Sequence, residues 1–328
     1  MPQHAVTPGA VSVIDLRRPR ADVAAAIDRA CREVGFFVIT GHGVPDAIAD
    51  AAWDAGRAFF ALPIERRLEV AMPAAGYPYG YCPLSAETLA SSLGASSPPD
   101  LKETYAIGPV DPPPRPLAEM SDADERAVYA PNLWPAAVPS LRPAWERYYR
   151  AMAELAGRLM DAFAAALDLP DGWFVPYIDR HGSAMRMIRY PHVDRAALPG
   201  QLRAGAHTDY GTLTILRQDD APGGLEIQTT DGRWVPIPFA PGTYVVNIGD
   251  LMARWTNDRW RSTLHRVVLP PPDSRGSTER FSFPFFHNAN WDALVECLPT
   301  CVEPGASPRY PPVRAGTHLM AKFRSTVT

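Results

Sequence analysis

The sequence predicts a mixed α and β fold in which a small N-terminal α/β cap and one long helix pack against a C-terminal β domain of two sheets. Three observations predict it. Residues 11–62 alternate between short β-branched runs and segments of helical periodicity. One amphipathic stripe runs through residues 139–169. Beyond residue 176, short apolar pieces recur between Gly, Pro and Asp, which favours a sandwich or barrel over a parallel sheet.

The cap is predicted to contain two strand–helix units. The first strand is VSVIDL at residues 11–16, and the helix after it covers residues 21–34, where apolar side chains recur at helical spacing. GFFVITGHG, at residues 35–43, is a short apolar run bounded by glycines and is predicted to be the second strand. Helical periodicity returns over residues 45–62. These elements predict a small α/β layer at the N-terminus.

A proline-rich segment follows the cap. The chain has 36 prolines, and seven of them fall between Pro98 and Pro116. Residues 77–116 are therefore predicted to be a partly ordered loop. We expect it to cover another part of the protein rather than to act as a flexible linker between domains. Residues 1–120 are assigned to the cap and this lid, and residues 121–328 to the long helix and the β domain.

The β domain is predicted from seven short runs with turn signals between them. They cover residues 183–190, 212–218, 225–230, 233–238, 243–249, 264–270 and 280–286. Short strands at close intervals with turn signals favour a double-sheet domain, backed by the helix at residues 139–169.

Composition narrows the function to small-molecule chemistry. The chain has 328 residues, with 32 Lys plus Arg against 36 Asp plus Glu, and no block of like charge, so neither a nucleic acid nor an anionic membrane is expected as a partner. Four scattered cysteines do not form a disulfide framework, and the first residues lack a signal-peptide pattern. A cytoplasmic protein that binds a small molecule, as a monomer or weak homodimer, is expected.

Three residues have the chemistry of a metal site. His207 and Asp209 stand two residues apart in GAHTDYG, so on an extended strand both side chains project to one side. His265 follows several predicted strands, a separation that a closed sheet can bring back into contact. Two imidazoles and one carboxylate on one face of an ion leave coordination positions open, as in non-haem Fe(II) oxygenases. Taken alone, His-x-Asp on a strand also describes a surface pair.

A carboxylate-binding group is predicted beside these three residues. Arg280 and Ser282 lie two apart in the apolar run ERFSFPFF. A guanidinium in such a strand is costly unless it meets an anion, and its planar fork suits a carboxylate. Tyr190 in RMIRYPH offers a phenol that can donate a further hydrogen bond.

Five motifs, in this order along nearly the whole chain, carry a family resemblance. They are GHG at residues 41–43, RYP at 189–191, HTD at 207–209, VNIGDLMARWTNDRWRSTLHRV at 246–267 and RFS at 280–282. The set resembles the isopenicillin N synthase-like family of Fe(II)- and 2-oxoglutarate-dependent oxygenases.

The resemblance implies a double-stranded β-helix (jelly-roll) core with helices outside. It further implies iron held by His207, Asp209 and His265, and 2-oxoglutarate held by Arg280 and Ser282 with Tyr190. The implied activity consumes O2 and 2-oxoglutarate and releases succinate and CO2. Hydroxylation is the default outcome, while desaturation and cyclisation remain open. The substrate itself is not predictable from the sequence, although Phe285 and His287 are candidate contacts to it and Phe286, between them, is a candidate to line the cavity.

Two alternatives remain. Isopenicillin N synthase itself is an Fe(II) oxidase that uses O2 without 2-oxoglutarate, and a glutamine in its C-terminal tail can reach the iron. The last glutamine here is Gln228, which weakens that alternative. A non-enzymatic jelly-roll binding protein is the second alternative, and the complete set of three metal ligands argues against it.

Overall fold

The computed structural model describes residues 11–74, 76–93, 97–111, 113–192 and 198–324. Eight α-helices lie in these ranges: α1 (Arg20–Glu33), α2 (Asp46–Phe60), α3 (Ile64–Leu68), α4 (Ala123–Val128), α5 (Leu141–Ala166), α6 (Val175–Ile178), α7 (Asp250–Trp255) and α8 (Ala315–Arg324). Single 3-10 turns cover Leu89–Leu93, Leu117–Glu119 and Pro299–Cys301. None of the helices described combines the length and apolar composition that crossing a bilayer requires.

Two sheets were expected in the β domain. The described strands form two main sheets and one separate pair. In chain order they are β1 (Ser12–Asp15), β2 (Phe36–Thr40), β3 (Gly80–Cys82), β4 (Glu103–Ile107), β5 (Ala184–Tyr190), β6 (Ala204–His207), β7 (Leu213–Gln218), β8 (Leu225–Gln228), β9 (Trp234–Pro236), β10 (Tyr244–Ile248), β11 (His265–Val267), β12 (Arg280–His287), β13 (Leu294–Val295) and β14 (Val313–Arg314). The large sheet has the order β1-β2-β10-β7-β12-β5-β4-β3, and the small sheet has the order β6-β11-β8-β9. β13 and β14 pair separately.

The two sheets form the predicted jelly-roll core. Buried side chains of the large sheet, among them Phe36 and Val245, pack against Leu225 and Ile227 of the small sheet. Phe36 and Leu225 of this contact also line the cavity described below.

Helices cover the opposite face of the large sheet. α5 is the predicted long helix, and its buried face recurs every three or four residues, through Trp145, Met152 and Leu159 among others. The Trp145 ring packs 4.8 Å from that of Phe283 in β12. α1 and α2 pack on α5. The large sheet is therefore enclosed by helices on one side and by the small sheet on the other.

The prediction of a loop over residues 77–116 is partly wrong. β3 and β4 lie within it and extend the edge of the large sheet beyond β5. All five residues of β4 are buried, so the strand lacks the alternation of polar and apolar residues that identifies strands with one exposed face. Residues 94–96 and 112 of this segment lie outside the described residues.

The predicted division at residue 120 does not separate two independent sheets. Strands β1 to β4 come from the N-terminal part and pair into the same sheet as β5, β7, β10 and β12. Hydrogen bonding across that sheet joins the two parts. The division therefore stays a prediction about organisation along the chain.

Candidate active site

The two strands that carry the histidines are neighbours in the small sheet. His265 in β11 pairs directly with His207 at the end of β6, and their ring centroids are 4.3 Å apart. Asp209 lies just past the end of β6, where its Oδ1 is 4.0 Å from His207 Nε2 and 3.7 Å from His265 Nε2. One ligand atom from each of the three residues lies within 4.8 Å of the others. The three candidate ligands therefore converge on one point.

Backbone carbonyls set the orientation of both imidazoles. His207 Nδ1 lies 2.8 Å from the Gly205 carbonyl oxygen, and His265 Nδ1 lies 3.1 Å from that of Thr263. A carbonyl oxygen can only accept, so each Nδ1 carries the proton and each Nε2 keeps its lone pair for a metal. Burial, followed by the charge of His265, lowers the pKa of His207 to about 3, so this ring stays neutral at neutral pH.

The carboxylate is held by two side-chain donors. Thr214 Oγ1 and Asn247 Nδ2 donate to Asp209 Oδ2 at 2.6 and 2.7 Å, which leaves Oδ1 facing the histidines. Burial alone would raise the pKa of Asp209, but the nearby imidazoles and these two donors outweigh it and lower the pKa. Two imidazoles with Nε2 facing one point and a carboxylate form a donor set that fits Fe(II) with open coordination positions.

Sequence analysis missed Thr214 and Asn247. Asn247 lies inside the VNIGD motif, and a polar residue in an otherwise apolar strand was the signal that could have identified it. Holding a ligand in place through hydrogen bonds of this kind is typical of protein metal sites.

Arg280 lies in the same cavity with an unused donor. Its side chain is 2% exposed, and Nη2 donates to Gln218 Oε1 at 2.8 Å. Nη1 is buried without a hydrogen-bond partner among the described residues. Ser282 Oγ lies 3.4 Å from the Tyr190 hydroxyl, and the Arg280 guanidinium carbon lies 5.4 Å from the centroid of the Tyr190 ring. A buried guanidinium with a free donor beside two hydroxyls fits the carboxylate of 2-oxoglutarate.

The cavity that contains both groups has a volume of about 260 Å³. Its lining is largely apolar. Leu319, Met320 and Phe323 of α8 close it on one side, and Tyr79 and Val128 line it on another. The C-terminal helix therefore contributes to the cavity wall, as do residues of the predicted lid.

Phe285 and His287, the candidate substrate contacts, do not line this cavity, because they lie on the opposite face of β12. Arg280, Ser282, Pro284 and Phe286 face the cavity, whereas alternate side chains face the helices. Phe285 is fully buried against Tyr149. His287 is 1% exposed, with its Nδ1 2.7 Å from Thr212 Oγ1. Phe286, the candidate between them, lines the cavity.

A cluster of four charged residues lies at the cavity wall. Glu87 accepts from Arg186 Nη1 at 3.1 and 3.2 Å, and Lys102 Nζ lies 3.3 Å from Glu87 and 3.1 Å from Asp100. Asp100 also accepts the backbone N–H of Gly205 in β6 at 2.9 Å. Burial would raise the pKa of Glu87, but Arg186 and Lys102 lower it to about 2. Glu87 is therefore ionised at neutral pH, and the cluster ties the lid to the strand that ends at His207.

The C-terminal helix is linked to the metal site through Asp250. Lys322 Nζ in α8 lies 2.7 Å from Asp250 Oδ2, and the Asp250 N–H donates to the Asp209 carbonyl oxygen at 2.8 Å. Filling the cavity should therefore stabilise α8 as well as the lid.

We expect Fe(II) and 2-oxoglutarate together to slow hydrogen exchange in residues 77–93 and in α8. Both segments line the cavity, and a bound ligand raises the free energy of local opening. The measurement is hydrogen–deuterium exchange with mass spectrometry, and α1, on the far side of the large sheet, is the internal reference. Equal exchange rates with and without the ligands in both segments would contradict this prediction.

The chain matches known protein families in two places. Residues 11–137 match the family described as non-haem dioxygenase in morphine synthesis N-terminal, and residues 182–289 match the 2OG-Fe(II) oxygenase superfamily. These two regions contain the cap and most of the jelly-roll strands.

Relatives and solved structures match almost the full chain. It is 34% identical to the 2-oxoglutarate-Fe(II) type oxidoreductase hxnY of Emericella nidulans, over 94% of this chain and 85% of that protein. It is 33% identical to the validamycin A dioxygenase of Streptomyces hygroscopicus subsp. limoneus, over 96% of this chain and 86% of that protein. The crystal structure of Neurospora crassa T7H in complex with alpha-KG superposes with a TM-score of 0.84 at 28% identity, covering 99% of each chain.

Proposed function

The chain belongs to the 2OG-Fe(II) oxygenase superfamily, and we propose that it holds Fe(II) with His207, Asp209 and His265 while oxidising a C–H bond of a small metabolite. The convergence of these three side chains carries the proposal. For the default outcome, the substrate R–H, O2 and 2-oxoglutarate give R–OH, succinate and CO2. The protein is a dioxygenase with 2-oxoglutarate as its co-substrate.

The protein's own part in this reaction is to bind and orient. When bound, Fe(II) supplies O2 activation coupled to oxidative decarboxylation of 2-oxoglutarate. His207 and His265 offer their Nε2 atoms, and Asp209 adds the single negative charge. Arg280 and Ser282 are placed to hold the far carboxylate, with the Tyr190 hydroxyl beside them. Side chains of α8 and the lid exclude water from the cavity.

Neither alternative function is favoured. The relatives named above are a 2-oxoglutarate-Fe(II) type oxidoreductase and a dioxygenase, which argues against an oxidase that needs no 2-oxoglutarate. A complete set of ligands with its orienting hydrogen bonds argues against a binding protein without activity.

The substrate should carry a hydrogen-bond acceptor. Among the described residues, Arg186 donates only from Nη1, while its side chain is 23% exposed and lines the cavity. The cluster pairs two basic side chains with two acidic ones, so it has no net charge that would require an anionic substrate. A carbonyl as well as a carboxylate could therefore accept a hydrogen bond from the remaining N–H groups of the Arg186 guanidinium. The rest of the cavity favours an apolar body. We propose a small carbonyl or carboxylate compound rather than an amine or a polyol.

A screen for substrate-stimulated succinate formation tests the function and the substrate class together. The panel contains small carboxylic acids, lactams and other amides, with aliphatic amines and polyols as matched sets. Stimulation by a carbonyl or carboxylate compound, with formation of a product one oxygen heavier, is the expected result. Product formation that consumes no 2-oxoglutarate would overturn the proposed reaction, whereas stimulation only by amines would overturn only the substrate class.

Replacing Arg186 with methionine should raise the KM for the substrate from that screen by about tenfold or more, because a charge-assisted hydrogen bond is lost. The dissociation constant of 2-oxoglutarate should change little. Steady-state kinetics and 2-oxoglutarate titration measure the two effects. Arg233→Met is the matched control, since Arg233 is exposed on a surface turn. An unchanged KM in Arg186→Met would place the substrate elsewhere in the cavity.

Three expectations, on location, assembly and chain organisation, remain proposals. We retain the cytoplasm as the location, a monomer or weak homodimer as the assembly, and residues 1–120 and 121–328 as the two parts of the chain. Small-molecule substrates are consistent with the relatives.

A further inference from the structure

A second buried arginine lies behind the proposed 2-oxoglutarate site. Arg203 directly precedes β6 and is 0% exposed. Its Nη1 donates to the Pro222 carbonyl oxygen at 2.8 Å, and Nη2 donates to that of Thr278. Its Nε is buried without a hydrogen-bond partner in the part of the chain that the structure describes. Both strong contacts are to neutral carbonyls, so neither neutralises the charge.

Arg203 and Arg280 share one aromatic ring. The Arg203 guanidinium carbon lies 5.9 Å from the centroid of the Tyr190 ring, and that of Arg280 lies 5.4 Å from it. Arg203 also holds Thr278, two residues before Arg280, at the start of β12. It therefore supports Tyr190 and the beginning of the strand that carries Arg280 and Ser282.

The charges around Tyr190 do not balance. Asp219 is the carboxylate nearest to Arg280, with 3.9 Å between Oδ1 and Nε, and it already accepts the backbone N–H groups of Phe281 and Ala221. Within the described residues, Arg203 makes no ion pair of its own. Two guanidinium groups against one carboxylate leave an excess positive charge in a buried region, which is costly unless an anion offsets it.

Arg203 stays charged at neutral pH. Loss of hydration, followed by the like charge of Arg280, lowers its pKa to about 10. The arginine therefore carries its charge where the enzyme works, and no described carboxylate neutralises that charge by direct contact.

We propose that Arg203 is a positioning residue for the co-substrate, supplying a second buried positive charge behind Tyr190 that makes this site select a 2-oxo acid with two carboxylates over one with a single carboxylate. This inference rests on the proposal that Arg280 holds the far carboxylate. Arg203 acts through the field it produces and through Tyr190 and Thr278, without touching the co-substrate. Since the far carboxylate is the group that distinguishes 2-oxoglutarate from a simple 2-oxo acid, its binding should depend on Arg203.

The test compares two ligands in anaerobic titrations of the Fe(II)-loaded protein. 2-Oxoglutarate carries the far carboxylate, and 2-oxobutyrate has the same 2-oxo acid end without it. In Arg203→Met, the dissociation constant of 2-oxoglutarate should rise about tenfold or more, while that of 2-oxobutyrate should stay within about twofold. Arg203→Lys, which keeps the charge, should retain most of the selectivity.

Controls separate a local effect from a general loss of structure. Arg259→Met removes another largely enclosed guanidinium, one that pairs with Asp28 of α1 and lies outside the cavity lining, and it should leave the selectivity unchanged. Should Arg203→Met not fold, Arg203→Gln, which keeps hydrogen-bond donors but no charge, should show the same loss of selectivity. Unchanged selectivity in the folded variant, or equal weakening of both ligands, would overturn the inference. A wild-type protein that binds no 2-oxoglutarate would instead contradict the co-substrate.

Discussion

Replacing Asp209 with alanine is expected to weaken Fe(II) binding by at least about 100-fold and to abolish turnover, because the variant loses the only anionic ligand of the proposed set. The substitution also leaves the Thr214 hydroxyl and the Asn247 amide without the acceptor they share. The two histidines alone would bind iron weakly. Calorimetric titration of the metal-free protein with Fe(II) under anaerobic conditions measures the affinity, and succinate formation measures turnover.

Asp231→Ala is the matched control for this experiment. Asp231 is an exposed carboxylate on the turn between β8 and β9, where it pairs with Arg233. Its removal should change neither Fe(II) affinity nor succinate formation. Retention of full iron affinity and turnover in Asp209→Ala, with the control unchanged, would show that Asp209 is not a ligand.

The three candidate metal ligands could be predicted from the sequence because their chemistry is local. His-x-Asp keeps an imidazole and a carboxylate on one side of an extended segment, and a distant histidine in a β-rich region is easily brought near by sheet pairing. The reasoning about the strand was less accurate. β6 ends at His207, so Asp209 is positioned by the turn that follows and by Thr214 and Asn247 rather than by strand alternation.

Contacts between distant segments account for most of what sequence reasoning missed. Phe285 and Phe286 are equivalent in sequence, and only the register of β12 between β5 and β7 decides which of them faces the cavity. β4 was overlooked for two reasons. Both of its faces are buried, and the prolines near it in the sequence usually indicate loops. Arg203 was overlooked because a single arginine before a strand is ordinarily exposed. Its role becomes visible only when Tyr190 and Arg280 lie beside it.

Replacing Arg280 with methionine should weaken 2-oxoglutarate binding by about 2 to 5 kcal/mol, with Fe(II) binding largely unchanged. Among the described residues, Nη1 of Arg280 is buried in the cavity without a hydrogen-bond partner, so the variant removes the charged partner that the far carboxylate would meet there. The carboxylate would then be buried against Gln218, Ser282 and Tyr190, none of which supplies a positive charge. Ser282→Ala removes a neutral hydrogen bond only and should cost about 0.5 to 1.5 kcal/mol.

The control and the measurement follow from the alternation along β12. Arg57→Met removes a guanidinium that stacks 5.6 Å from the ring of Phe281, on the opposite face of the same strand, and should leave 2-oxoglutarate affinity unchanged. Anaerobic titration of each Fe(II)-loaded variant with 2-oxoglutarate gives the dissociation constants, and a succinate assay after air and substrate are admitted gives the turnover. If Arg280→Met bound 2-oxoglutarate as tightly as the wild type, the far carboxylate would lie elsewhere. If product still formed with no succinate at all, Arg280 and Ser282 would instead hold the primary substrate, as in an oxidase that needs no 2-oxoglutarate.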